Sequence, residues 1–115
     1  MSVDVTESVR FAERLRAMPE FDGASVGPTL IAAWALCGAV RRHPRINATW
    51  DEAAGEIVVK HYVNLGIAAA TPRGLLVPNV KHADRLDLAA LGRALKRLTT
   101  TARDGATAPA ELAGG

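Results

Sequence analysis

The sequence predicts a single α/β domain, more closely an α+β arrangement of two layers in which helices cover one face of a mixed sheet. Two segments, residues 28–43 and 87–105, have the length and apolar spacing of helices, and short strand-like segments separate them. The order strand, helix, helix, strands, helix is typical of a two-layer domain. A chain of 115 residues has room for one such domain.

The first helix is predicted to begin at Thr6, after a short segment that alternates like a strand. Residues 3–5 alternate apolar and polar side chains, and Thr6 is a good N-cap residue. Phe11, Leu15 and Met18 follow at the spacing of one helix face. We therefore expect a strand at residues 3–5 and a helix from Thr6 to about Met18.

The second helix is the most apolar segment of the chain. Pro28 can start it, because the first helical residue needs no amide hydrogen, and Pro44 ends it. Most of residues 29–43 is apolar nearly all round, which predicts burial on more than one side. Cys37, the single cysteine, lies in this run. We expect it to be a small core residue rather than a nucleophile, with no disulfide within the chain.

Two strands are expected next, at residues 46–50 and 56–62. Both segments are rich in β-branched and aromatic residues. Residues 51–55 form the turn between them, and Gly55 is predicted to occupy a bulge or a positive-φ position there.

Residues 64–80 are two apolar runs around a Thr-Pro-Arg-Gly turn. Pro72 presets the φ of the first turn position, and Gly74 allows the positive φ that such turns often need. Pro78 closes the second run, because it has no amide hydrogen for a ladder. The pattern predicts a buried hairpin or a tight strand-loop-strand.

The last long helix is predicted to be capped by Asp87 and ended by Gly105. Its apolar stripe consists of Leu88, Leu91, Leu95, Leu98 and Ala102. Residues 107–112 predict one further helical turn, which Gly114 and Gly115 stop.

Composition excludes several classes of function. The chain has 14 basic and 12 acidic residues and no basic run interleaved with aromatics, so nucleic-acid binding is not expected. The longest apolar run is shorter than the roughly 20 residues that span a bilayer, and residues 1–5 lack the basic and apolar regions of a signal peptide. A single cysteine fits a reducing compartment. Together, these features predict a cytoplasmic protein without membrane contact. His43, His61 and His82 lack the spacing of helical metal ligands, so no metal site is expected.

Six segments resemble motifs of one enzyme family, in the same order. They are VDVT at 3–6, HPRINATWD at 43–51, HYVNLGIA at 61–68, TPRGLLVPNV at 71–80, ADRL at 83–86 and AELAGG at 110–115. Together they resemble the catalytic domain of the dihydrolipoamide acyltransferases, the core-forming components of 2-oxoacid dehydrogenase complexes. Six ordered matches over most of the chain make a far more specific signal than any single motif.

The resemblance implies a chloramphenicol-acetyltransferase-like fold and transfer of an acyl group between dihydrolipoyl-lysine and coenzyme A. Both are substrates, and no covalently bound cofactor is expected. Members assemble from trimers into large cores, so the expected partners are coenzyme A, the lipoyl domain of the complex and further copies. The candidate residues for the substrate channel are Asn64, Thr71, Arg73, Gly74 and Asn79. Many members carry an acidic residue where this chain has Ala70, so a contact made through that acid is not inherited.

The resemblance covers the central part of the family's domain. Residues 1–115 are therefore expected to be a partial acyltransferase catalytic domain with an incomplete form of the fold, without a lipoyl domain or a peripheral-subunit-binding domain. The family's oxyanion-supporting Ser or Thr and its His-x-x-x-Asp-Gly base motif do not occur among these residues. We expect no catalytic residue in this chain and no turnover by the chain alone.

Two other functions are open from the sequence. One hypothesis is a non-catalytic assembly module, or a split half that docks onto an acyltransferase core or onto a separately encoded partner. The other, which the sequence favours less, is an unrelated domain that binds a small molecule in a preformed apolar pocket. Uncovered strand edges and apolar faces predict that the isolated chain is oligomeric or poorly soluble.

Overall fold

Four α-helices and six short strands make up the fold, which a computed structural model describes for all residues 1–115. The helices are α1 (Thr6–Arg16), α2 (Pro28–Arg42), α3 (Leu88–Arg103) and α4 (Pro109–Leu112). The strands are β1 (Ala48–Asp51), β2 (Glu56–Val59), β3 (Leu65–Gly66), β4 (Ala69–Thr71), β5 (Gly74–Leu76) and β6 (Asn79–Val80). Three short 3-10 turns, Pro19–Phe21, Pro44–Ile46 and Ala83–Arg85, connect them. The predicted combination of helices and strands is confirmed.

The strands pair as three separate antiparallel ladders rather than as one mixed sheet: β1 with β2, β3 with β6, and β4 with β5. The last two ladders share one register, so residues 65–80 form a single interrupted hairpin, called the long hairpin below. The interruption lies where Ile67 faces Pro78. The Ile67 amide donates to the Pro78 carbonyl at 2.9 Å, and Pro78 has no amide hydrogen to return a bond.

The long hairpin confirms the predicted turn but is buried only in part. Asn79 and Val80 at its base are buried, as is Ala69. Leu75 and Val77 are exposed, so the expectation of a wholly buried hairpin is wrong. Helix α3 packs against β4 as well as β6, so one side of the hairpin is covered along its length and the other is exposed.

The core lies between α2, α3 and the base of the long hairpin. Leu30 of α2, Leu91 of α3 and Val80 of β6 belong to one buried cluster. Gly92 allows α3 to approach the loop before α2, since its carbonyl accepts a hydrogen bond from the Ser25 amide at 2.9 Å. A Cβ at position 92 would lie 3.3 Å from the Ser25 carbonyl oxygen. The core thus fixes the position of α3 and of the hairpin base.

The predicted strand at residues 3–5 is absent, because no other segment pairs with it. Thr6 is the first helical residue rather than the cap. The Asp4 carboxylate accepts hydrogen bonds from the Thr6 hydroxyl at 2.6 Å and from the Thr6 amide at 2.9 Å. These bonds lower the pKa of Asp4. The helix ends at Arg16, short of the predicted Met18, because Met18 precedes a proline and is extended.

Helix α2 begins at Pro28 as predicted, but its burial is one-sided. Leu30, Ala33 and Cys37 face the core, whereas Trp34 and Leu36 are exposed, so burial on more than one side is wrong for these residues. Burial raises the pKa of the Cys37 thiol, and the nearby Asp84 carboxylate raises it further, against an opposing effect of Arg41. Cys37 is a core residue, as predicted. No helix combines the length and the apolar character needed to cross a bilayer.

The β1–β2 hairpin is shorter than predicted and largely uncovered. Ile46 lies in a 3-10 turn, and the strands span only 48–51 and 56–59. Gly55 takes the predicted positive φ, 64°. Trp50 and Ile57 pair across the ladder and are 60% and 69% exposed. The apolar face of this hairpin therefore has no cover within residues 1–115.

The predicted cap of helix α3 at Asp87 and its predicted end at Gly105 are both confirmed. The Asp87 carboxylate accepts a hydrogen bond from the Ala90 amide at 2.7 Å. Gly105, with φ of 69°, ends the helix, and α4 supplies the further turn expected at residues 107–112. The end of α3 thereby comes beside the tip of the long hairpin.

Candidate functional site

The five candidate channel residues occupy two different parts of the long hairpin region. Thr71, Arg73 and Gly74 form its tip, and Asn64 and Asn79 lie at its base. The two groups are at opposite ends of the hairpin and make different contacts. The structure therefore does not bring the five residues together in one pocket.

The tip is held by its own hydrogen bonds. The Thr71 hydroxyl donates to the Gly74 carbonyl at 2.7 Å and accepts from the Arg73 amide at 3.2 Å. Gly74 has a φ of 117°, a conformation that side-chain-bearing residues rarely adopt. Thr71 and Gly74 thus shape the turn, and the Arg73 side chain is the group at the tip that is free to meet a ligand.

Replacing Gly74 by alanine is expected to destabilise the tip by about 1–3 kcal/mol through backbone strain. No heavy atom lies within 4 Å of an added Cβ, so a steric clash contributes nothing. The measurement is urea denaturation monitored by tryptophan fluorescence. Gly66→Ala is the matched control, because its Cβ would make an ordinary contact of 3.4 Å with Val77 at a φ that alanine tolerates. Equal losses in both variants would contradict the strain argument.

A groove of about 370 Å³ separates the hairpin tip from the end of α3 and the chain that follows it. Its lining residues are Thr71, Pro72, Arg73, Leu76, Ala102, Arg103, Asp104, Gly105, Thr107 and Leu112. Two arginines and one aspartate border it, so positive charge exceeds negative charge at its rim. The groove is open and suits the extended, anionic part of a ligand better than a small enclosed molecule.

Asn64 and Asn79 do not line this groove and instead hold the last residues of the chain. Asn79 borders a separate cavity of about 360 Å³. The Asn79 amide nitrogen donates to the Ala113 carbonyl at 3.0 Å, and the Asn64 amide nitrogen donates to the Gly114 carbonyl at 3.0 Å. The ammonium of Lys81 also donates to the Ala113 carbonyl. We call Asn64, Asn79 and Lys81 the amide clamp.

The sequence predicts neither Lys81 as a site residue nor the contact of the clamp with Ala113. Lys81 was not a candidate, nor were Thr107 and Leu112 of the groove, because each depends on a contact between distant segments. The one local feature of the sequence that points to this contact is the glycine pair Gly114–Gly115, because it permits an unusual backbone conformation and a close approach. Gly114 has a φ of 76°, and a Cβ on Gly115 would lie 3.1 Å from the Asn79 amide nitrogen.

The three histidines lie apart from the groove, and all are exposed. The ring of His82 lies 5.6 Å from that of Tyr62, and its backbone amide donates to the Asn64 side-chain oxygen at 3.1 Å. His61 borders a smaller cavity of about 170 Å³ instead. No three His, Cys, Asp or Glu side chains lie close enough together to hold a metal ion. No histidine is in position to act as a base at the groove.

Comparison with known proteins identifies the family. The family of 2-oxoacid dehydrogenases acyltransferase, catalytic domain, matches residues 1–115. The chain belongs to this acyltransferase family. The resemblance noted in the sequence is confirmed, and an unrelated small-molecule-binding domain is excluded.

Curated relatives of this acyltransferase-family chain are acetyltransferase components of pyruvate dehydrogenase complexes. The Staphylococcus aureus protein is 49% identical over 80 residues, which are 70% of this chain and 19% of that protein. The Bacillus subtilis protein is 38% identical over 112 residues, which are 97% of this chain and 25% of that protein. The chain thus spans about a fifth to a quarter of the length of these relatives.

Solved structures confirm the fold of this acyltransferase-family chain. Dihydrolipoamide acetyltransferase of Azotobacter vinelandii, studied for a serine, a histidine and an asparagine in its catalytic mechanism, superposes with a TM-score of 0.90 at 26% identity. The chain is covered completely, together with 47% of that protein. A truncated catalytic core of the Thermoplasma acidophilum complex gives 0.84 at 28% identity, covering 98% and 51% of the two chains. The predicted fold class is therefore confirmed.

Proposed function

We propose that the chain forms part of a catalytic domain that transfers an acyl group between dihydrolipoyl-lysine and coenzyme A in a 2-oxoacid dehydrogenase complex. The observation that carries this proposal is the family match over every residue, together with the complete superposition on a dihydrolipoamide acetyltransferase. A fold alone does not imply a function, but a family match in sequence over the whole chain adds the specific motifs.

The groove at the hairpin tip is the proposed contact region for coenzyme A. Coenzyme A is long and carries several phosphate charges, and Arg73 and Arg103 border an open groove of suitable shape. Guanidinium groups bind phosphates through paired hydrogen bonds. In this proposal Thr71 and Gly74 fix the turn that presents Arg73, and the base of the hairpin plays a separate part.

The proton transfer is proposed to depend on residues other than these. Acyl transfer to a thiol needs a base near the sulfur and a donor near the developing oxyanion. The histidine and serine studied in the Azotobacter vinelandii protein fit those roles. His43, His61 and His82 do not border the groove. We propose that residues 1–115 supply binding surface and no base.

An acyl-transfer assay tests the proposal. The protein expressed from its native gene is assayed with and without a co-expressed chain that carries the His-x-x-x-Asp-Gly half. Acetyl, branched-chain and succinyl thioesters of coenzyme A are each offered with dihydrolipoamide. Transfer of at least one acyl group in one of these two preparations is expected. Absence of transfer in both, with folded protein, would overturn the proposed function.

Arg73→Gln tests the groove within the same assay. Loss of one charge-assisted phosphate contact is expected to raise the KM for the coenzyme A thioester about tenfold, while the KM for dihydrolipoamide stays unchanged. Arg42→Gln is the control, because it removes the same charge from an exposed position at the end of α2, outside the groove lining. Equal effects of both variants would contradict a specific contact at Arg73.

An assembly role is the second candidate, and the uncovered face of the β1–β2 hairpin favours it. Trp50 and Ile57 expose most of their surface there, and exposed apolar patches mark interaction sites. A structure of the cubic core of a pyruvate dehydrogenase complex superposes on the chain with a TM-score of 0.90. Size exclusion after co-expression separates the two roles: incorporation with activity supports the catalytic role, and incorporation without activity supports the assembly role.

A further inference from the structure

Asn79 is the buried polar residue of the long hairpin. Its side chain is only 3% exposed, and its amide nitrogen donates to the Ala113 carbonyl. Its side-chain oxygen is buried without a hydrogen-bond partner. Such an unsatisfied acceptor costs stability, and natural structures retain few of them. An apolar residue at this position of β6 would bury as well and leave no acceptor unpaired.

Within residues 1–115, the segment that Asn79 holds, residues 108–115, makes few other contacts with the rest of the protein. None of residues 108–115 is buried, and Leu112 is 42% exposed. The hydrogen bonds between the Glu111 carboxylate and the Ala108 amide, and between the Glu111 amide and the Ala108 carbonyl, are internal to the segment. The three donors of the amide clamp are therefore the main polar contacts that join this segment to the body of the protein.

The same segment forms one wall of the groove. Thr107 and Leu112 line the groove together with Thr71 and Arg73 of the hairpin tip. The clamp binds Ala113 and Gly114, directly after Leu112. One hairpin thus supplies one wall of the groove at its tip and, at its base, holds the segment that supplies the other wall.

We propose that the amide clamp is a positioning device for the groove, and that Asn79 is its central residue. The clamp sets the distance between the hairpin tip and residues 107–112, and so determines how well the groove accepts an extended anionic ligand. Coenzyme A as that ligand rests on the proposed function. A residue that lowers stability and improves the geometry of a site is expected where function requires it. Asn79, Asn64 and Lys81 do not line the groove, so they act on it through the segment.

Asn79→Leu separates positioning from stability. It removes the donor to Ala113 and also the unpaired acceptor, so the melting temperature should stay the same or rise. Amide hydrogen exchange in residues 107–115 should increase, because the segment loses its buried anchor. In the active preparation of the acyl-transfer assay, the KM for the coenzyme A thioester should rise about tenfold with a smaller change in kcat, as expected for a displaced binding wall. If Asn79 were merely structural, its replacement would lower the melting temperature and would not raise KM more than it changes kcat.

Thr99→Val is the matched control. The Thr99 hydroxyl donates within α3 to the Leu95 carbonyl at 2.9 Å and to the Lys96 carbonyl at 3.2 Å, so this variant also loses a side-chain donor, but outside the clamp and the groove. Lys81→Met serves as a second clamp variant if Asn79→Leu does not fold, because Lys81 is exposed. Both clamp variants should increase exchange in residues 107–115, and Thr99→Val should not.

The exchange and kinetic readouts distinguish the possible failures. Unchanged exchange in residues 107–115 of the clamp variants would overturn the clamp, whatever the activity of the protein. Increased exchange with an unchanged KM for the coenzyme A thioester would overturn its role in the groove. If the unaltered protein transfers no acyl group, the proposed function fails. The clamp is then judged by exchange alone: faster exchange in the clamp variants still supports its hold on residues 107–115, and unchanged exchange overturns it.

Discussion

A polypeptide of residues 1–115, purified alone, is expected to transfer acyl groups at least about 10⁴-fold more slowly than a full-length relative, since base and oxyanion assistance contribute about 10²–10⁴-fold and about 10²-fold or more. The structural reason is the location of the titratable groups. None of the three histidines borders the groove, and Cys37 is buried in the core with a raised pKa. A thiol bound in the groove would have only water to take its proton.

The measurement is thioester exchange between acetyl coenzyme A and dihydrolipoamide, with the Bacillus subtilis acetyltransferase as the reference enzyme. A preparation with His43, His61 and His82 all changed to glutamine is the control for trace contamination. Rates well above the uncatalysed reaction that disappear in this triple variant would show that a histidine of this chain acts as a base. That result would contradict the proposal that these residues supply binding surface only.

Features governed by local chemistry were predictable from the sequence. Gly55, Gly74 and Gly105 all take the positive φ that their turns suggested, and Asp87 caps α3. Each depends on a few consecutive residues, so one sequence contains the whole cause. The strand predicted at residues 3–5 fails for the opposite reason, because a strand needs a partner that the alternation of three residues cannot supply.

The candidate site was predictable only in part, because its geometry depends on distant contacts. The hairpin turn was found because proline and glycine specify it locally. Asn79 was grouped with the tip residues, yet its side chain binds Ala113, 34 positions further along the chain. Spacing in the sequence cannot show which way a strand residue at a hairpin base faces, or what crosses it. Trp34 and Trp50 illustrate the same limit, since apolar character did not predict their exposure.

Leu91→Ala is expected to lower the free energy of unfolding by about 2–5 kcal/mol, the usual cost of a cavity in a rigid core. Leu91 has no exposed surface and lies in the cluster that joins α3 to α2 and to the hairpin base. Domains of this size are stable by only about 5–15 kcal/mol. One such cavity therefore removes a large share of the stability and releases α3, whose end borders the groove.

Leu75→Ala is the matched comparison, because it deletes the same atoms from a leucine that is 68% exposed on the long hairpin. Its effect should stay within about 0.5 kcal/mol, as for ordinary surface positions. Urea titrations monitored by the fluorescence of Trp34 and Trp50 give the loss of unfolding free energy in both variants. If the two leucines cost the same, the packing of α3 against α2 and the hairpin does not hold the domain together. A large difference would show that the packing of α3 against α2 and the hairpin base carries much of the stability of the domain.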